Sequence, residues 1–183
     1  MGVLRALSRA IAIACGWGLL ALSIFIVAEI LARKLVNYSF QGADELGGYA
    51  LAVTAAFGFA FALLERAHTR IDILVGRTAS SVRGALDLLA AAAIAAMAAF
   101  MAWRGAATLG ETLRYDSRAS TPWQTPLWLP QGLWLAGLAL FAVVAFVLLV
   151  RGVIAFVRRP GAPSAEIALP SLDEVIAAQR AGP

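Results

Sequence analysis

Four stretches of the chain run without formal charge for sixteen residues or more, each bracketed by polar clusters. The first is Ala10 to Ala28 and the second Leu46 to Leu64, nineteen residues each. The third, Leu88 to Trp103, continues past Arg104 as a weakly polar segment to Gly110. The fourth is Ala119 to Val150, whose Pro122, Pro126 and Pro130 forbid a regular helix across its first part. A bilayer is crossed by about twenty apolar residues in a helix. The pattern therefore predicts an all-α integral membrane protein with four transmembrane helices, at about 9–36, 44–65, 85–110 and 127–151. They make one membrane domain over 1–159, followed by a tail over 160–183. Arg5 and Arg9 precede the first run as they would in a secretory signal. The run is longer than a signal core of roughly 7–15 residues, and no convincing small-residue cleavage site precedes Glu29, so this helix is expected to be retained.

Composition narrows the function classes. The chain is 61% hydrophobic, and its 14% charged residues compare with roughly 25% in soluble domains. Four helices leave no room for a soluble catalytic domain. Cys15 and His68 are the single cysteine and the single histidine, which excludes an internal disulfide, bis-histidine haem ligation and most histidine-rich metal sites. No phosphate loop, zinc motif or nucleophile elbow is present. Catalysis, cofactors and bound metals are accordingly not expected.

The net charge of +4 reads as topology, with no nucleic-acid partner implied. With four spans, both termini share a side with the loop between the second and third helices. That side carries ten basic residues: Arg5, Arg9, Arg66, Arg70, Arg77, Arg83, Arg151, Arg158, Arg159 and Arg180. The other carries Arg33, Lys34, Arg114 and Arg118, with Arg104 assigned to neither. The bias places both termini in the cytoplasm.

Asn37 to Gly42 is then a short polar turn facing the periplasm. The loop from Arg66 to Arg83 mixes Ile71, Leu74, Val75 and Val82 with arginines, and reads either as an interfacial amphipathic helix or as a solvated connector. Helix three is alanine-rich from Leu88 to Phe100. Small side chains allow close helix approach, which predicts enclosure by neighbours; compositional bias would produce the same string. Trp103, Trp123, Trp128 and Trp134 fall on the periplasmic side, as an interfacial belt or as a partner contact. In the tail, Ser171 to Glu174 has capping-box spacing, and a short helix through Arg180 would be marginal by itself.

The polar residues flanking the first two spans hold the sharpest information. Glu29 stands four residues before Arg33, the favourable order for an ion pair along one helix face. An isolated carboxylate at that depth would be a proton-carrier candidate, whereas a pair is structural or contacts a partner. Asp44 and Glu45 open the second helix, where negative charge complements the helix dipole. His68 and Asp72 would share one side of a helical turn as a hydrogen-bonded pair.

In this order and placement, the residues resemble the small membrane subunit of TRAP transporters, the DctQ-like family. The resemblance rests on Glu29 with Arg33, on Glu45-Leu46, and on His68-Thr69-Arg70-Ile71-Asp72. It also rests on Ser120-Thr121-Pro122-Trp123 and the proline-rich Pro126 to Pro130 approach to helix four. It covers about Gly16 to Val150. Thr69 replaces the aliphatic residue usual after the histidine, and Gln41-Gly42-Ala43 replaces a more aromatic approach to helix two. The resemblance implies a non-catalytic bacterial inner-membrane subunit. It would scaffold a large sodium-coupled membrane subunit that moves a carboxylate-bearing solute delivered by a periplasmic binding protein. Its contact candidates are Glu29, Arg33, Asn37, Glu45, His68, Asp72, Trp123 and Trp128. A different class, a self-sufficient four-helix proton-coupled exporter, would require Glu29 to be free.

Overall fold

The computed structural model describes residues 2–39, 42–65 and 80–158. His68, Asp72, the Arg66–Arg83 connector up to residue 79 and the tail lie outside these described residues. Four helices are present: α1 (Gly2–Val36), α2 (Ala43–Leu64), α3 (Ser80–Tyr115) and α4 (Trp128–Arg158). Each is long and apolar enough to cross a membrane.

At 1.5 Å per residue, α2 is about 33 Å long, whereas α1, α3 and α4 run to about 52, 54 and 46 Å. The hydrocarbon layer is about 30 Å thick. Only α2 is cut to that thickness; the others project beyond it or tilt. This explains where the helix ends depart from the sequence pattern. α1 begins at Gly2 where the pattern places it at about Arg9, α3 spans Ser80 to Tyr115 where it gives 85–110, and α4 runs on to Arg158 where it gives 151. Charge marks where the apolar layer stops, but the backbone ladder continues into water. Pro130 sits in the first turn of α4, where amide N–H groups lack an intrahelical partner, so the helix tolerates it.

The helices pack as a row. α1 lies on α2, α2 on α4, and α4 on α3; among the described residues every other pair makes at most marginal contact. The exposure pattern records this order. In α1 the less exposed positions are Ser8, Ile11, Ala12, Cys15, Leu19, Leu22, Phe25, Ile26, Glu29 and Ala32, a single stripe at helical spacing. The seam of α3 is Gly84, Asp87, Ala91, Ala95, Ala98, Gly105 and Thr112. Its outer side, including Leu89, Met97 and Phe100, is exposed. Among the described residues the alanine-rich helix is thus enclosed on one side only. Its small residues on one side admit α4, and those on the others meet no described element.

α4 is the centre. Leu138 and Val144 are its fully buried side chains, and Phe141, Val144 and Ala145 join Ala60 and Leu64 of α2 and Ala95 and Ala98 of α3 in one apolar cluster. The closest approach is at Gly137, where a Cβ would stand 2.8 Å from the Ala56 Cβ and 3.0 Å from its backbone carbon. Helix association in a membrane rests on such dispersion contacts, because lipid offers no hydrophobic drive between helices. Gly105 plays the same part for α3, with Trp134, Leu135 and Leu138 within 3.3 Å of its missing Cβ.

Gly137→Leu is expected to push α2 from α4 and to destabilise the fold by about 1–3 kcal/mol. Gly132→Ala, where nothing lies within 4 Å, should leave stability unchanged or slightly higher. Thermal melts of the two purified variants check this pair, and equal melting temperatures would refute the crossing.

Candidate functional site

At the end of the molecule where α1 meets α2 and α3 meets α4, polar side chains from four separate segments converge. α1 stops at Asn37, whose φ of 56° is left-handed. Asparagine tolerates that conformation better than most residues and commonly ends helices this way. The Tyr38 N–H then reaches back to the Ala32 carbonyl at 3.4 Å. This reversal brings Ser39 over the last turns of α1, and its hydroxyl donates to Glu29 Oε1 at 3.0 Å. Arg33 Nη2 donates to the same oxygen. Glu29 is 3% exposed, while the Arg33 side chain is 59% exposed, so the carboxylate is inside and its counter-ion faces outward.

The connector between α3 and α4 is folded on itself. Ala119 N–H donates to the Thr125 carbonyl at 3.0 Å and Leu127 N–H to the Ser117 carbonyl at 3.1 Å, with an antiparallel bridge between Arg118 and Pro126. Its tip is a turn closed by Gln124 N–H to the Thr121 carbonyl, with Gln124 at a φ of 45°. Two contacts dock this small hairpin on α2. The Thr121 hydroxyl donates to Glu45 Oε2, with the Thr125 side chain alongside. The Trp123 ring lies over Gly42, where a Cβ would come within 2.7 Å of it. Glu45 Oε1 also accepts from the Tyr49 hydroxyl at 2.9 Å.

Glu45 therefore does more than complement a helix dipole. Gly42 is the N-cap of α2 and supplies no side chain, and the Glu45 carboxylate is turned sideways to tie α2 to a loop 76 residues further along. Spacing foretells Glu29 with Arg33, because both lie on one helix. It holds no signal for Thr121 with Glu45, Ser39 with Glu29 or Trp123 with Gly42, which are long-range or turn-dependent.

Glu29, Arg33, Gly42, Ala43, Glu45, Thr121 and Pro122 line a cleft of about 230 Å³ between these parts. Of the residues expected to matter here, Glu29, Arg33, Asn37, Glu45 and Trp123 come together at this end. Trp128, 46% exposed, starts α4 just beyond the hairpin. Trp134 packs on Gly105. Among the described residues no three His, Cys, Asp or Glu side chains converge as a metal site would require. What the arrangement does chemically is hold two carboxylates in fixed, fully specified company.

If the hairpin is fastened through Glu45, then Glu45→Ala and Thr121→Val each lower the melting temperature, and the double variant melts no lower than the worse single one. Additive losses would mean that the two side chains act independently.

Residues 22–155 match the family model described as tripartite ATP-independent periplasmic transporters, DctQ component. No curated protein matches the chain significantly. The matched segment takes in α1 from its middle, all of α2, the folded hairpin and nearly all of α4, so it contains every contact of the polar end. It is the greater part of a chain whose four helices are each long and apolar enough to cross a membrane. The chain belongs to the DctQ component family, the small membrane subunits of TRAP transporters.

Proposed function

We propose that this protein is the non-catalytic scaffold subunit of a sodium-coupled TRAP transporter. It braces a large membrane subunit that takes up a carboxylate-bearing solute handed over by a periplasmic binding protein. The observation that carries this reading is the family match across 22–155. Supporting it, the membrane-crossing helices are unbroken, and the polar residues at one end are engaged with one another. A transport domain needs discontinuous helices or half-helix termini at a central site; a scaffold needs rigid helices with faces left for lipid and partner.

In this reading both termini are cytoplasmic, following the arginine bias, and the Glu29–Glu45 end with its folded hairpin faces the periplasm. The protein is a multi-pass component of the bacterial inner membrane. The exporter reading needs a carboxylate that takes up and releases protons freely. Glu29 is held by Arg33 and Ser39 instead, which favours the scaffold.

Proteoliposomes test the proposal. Sodium-driven uptake should require this chain together with the large subunit and the binding protein, and the chain alone should carry nothing. Proton-coupled export by the chain alone, abolished by Glu29→Gln, would establish the exporter and refute the scaffold.

A further inference from the structure

Arg104 is the one basic residue that the topology of the sequence leaves unassigned, and packing gives it a depth. Its neighbour Gly105 rests against Trp134, Leu135 and Leu138 of α4. In the same turn of α4, Gly137 rests against Ala56, beside the midpoint of the charge-free stretch Leu46–Leu64 of α2. Trp128, where α4 begins, is seven residues above Leu135, about 10 Å at 1.5 Å per residue. Arg104 thus sits about 10 Å below the start of α4, level with the middle of the charge-free stretch of α2.

The side chain is on the outer side of α3, away from α4. Its guanidinium carbon is 5.8 Å from the ring centre of Trp103, itself 64% exposed. Among the described residues it has no carboxylate partner. Glu111, seven residues on and on the same stripe, is about 10 Å higher. The stripe continues downward through Phe100, Met97 and Ala93, all exposed.

An arginine at this depth is costly in lipid, and such residues face a protein interior or a partner. We infer that the Met97–Phe100–Arg104 stripe of α3 docks against a transmembrane helix of the large subunit that presents a carboxylate to Arg104. This rests on the scaffold reading. Charge and depth select the occupant. Lipid phosphates lie at the edge of the apolar layer, about 15 Å from its middle, whereas a helix can deliver a carboxylate at any depth. The exposed Ala93, one turn below Met97 on the same stripe, leaves room there for the close backbone approach that membrane helix pairs use.

The test uses the full chain co-expressed with the large membrane subunit. A photo-crosslinking residue replaces Met97 on α3 or, for comparison, Ile24 on the outer side of α1. Separately, Arg104→Gln and Arg104→Lys are scored by the ratio of large to small subunit recovered on purification. Met97 should crosslink to the large subunit. Arg104→Gln should lower the ratio at least about tenfold, and Arg104→Lys should retain most of it. Crosslinks from Met97 only to lipid or to a second copy of the chain, or an unchanged ratio for Arg104→Gln, would overturn the inference and leave the scaffold reading intact. Failure of the unmodified chain to recover the large subunit would overturn both.

Discussion

A carboxylate near the apolar layer must find a partner, and this requirement organises the whole molecule. Glu29 and Glu45 lie at the same end, on different helices, and neither is satisfied by its own helix alone. Glu29 needs the left-handed turn at Asn37, because only that reversal returns Ser39 to it. Glu45 needs the hairpin between α3 and α4, because Thr121 is at its tip. Meeting both demands brings the two helix hairpins together. The Gly42–Trp123 contact then leaves the junction no room for a side chain on α2's N-cap.

Below that end, polar chemistry gives way to shape. Gly137 and Gly105 let α4 approach α2 on one side and α3 on the other, and the apolar cluster around Phe141 and Val144 fills the space among the three. Among the described residues α1 joins chiefly through its seam with α2. An open row of this kind would be unstable in water, where its exposed leucines, valines and aromatics would have to be buried. In a bilayer those same faces are solvated by lipid or by another membrane chain. The fold is thus a wall with two flanks that no described element covers, as the proposed scaffold would require.

The four spans were legible because charge is excluded from the apolar layer, so uncharged runs report directly on it. The helix ends were less legible, since hydrogen bonding in α1, α3 and α4 continues after the apolar layer has ended. The Glu29–Arg33 pair could be read from spacing alone. The tie from Glu45 to Thr121 could not, because nothing in either local sequence specifies the other. The alanine string of α3 correctly signalled close packing but not on how many sides. Small side chains state how near a neighbour can come, and they do not count neighbours.

The fold stands or falls on the order of the row, α1 beside α2, α2 beside α4 and α4 beside α3. Cysteine crosslinking in native membranes tests it most directly, using pairs of cysteines introduced between helices in a Cys15→Ser background. Packed helices stand roughly 8–10 Å apart, so efficient bonds should form between α1 and α2, between α2 and α4, and between α4 and α3. Efficient bonds between α1 and α3, or between α1 and α4, would instead show a closed bundle and rule out the open row.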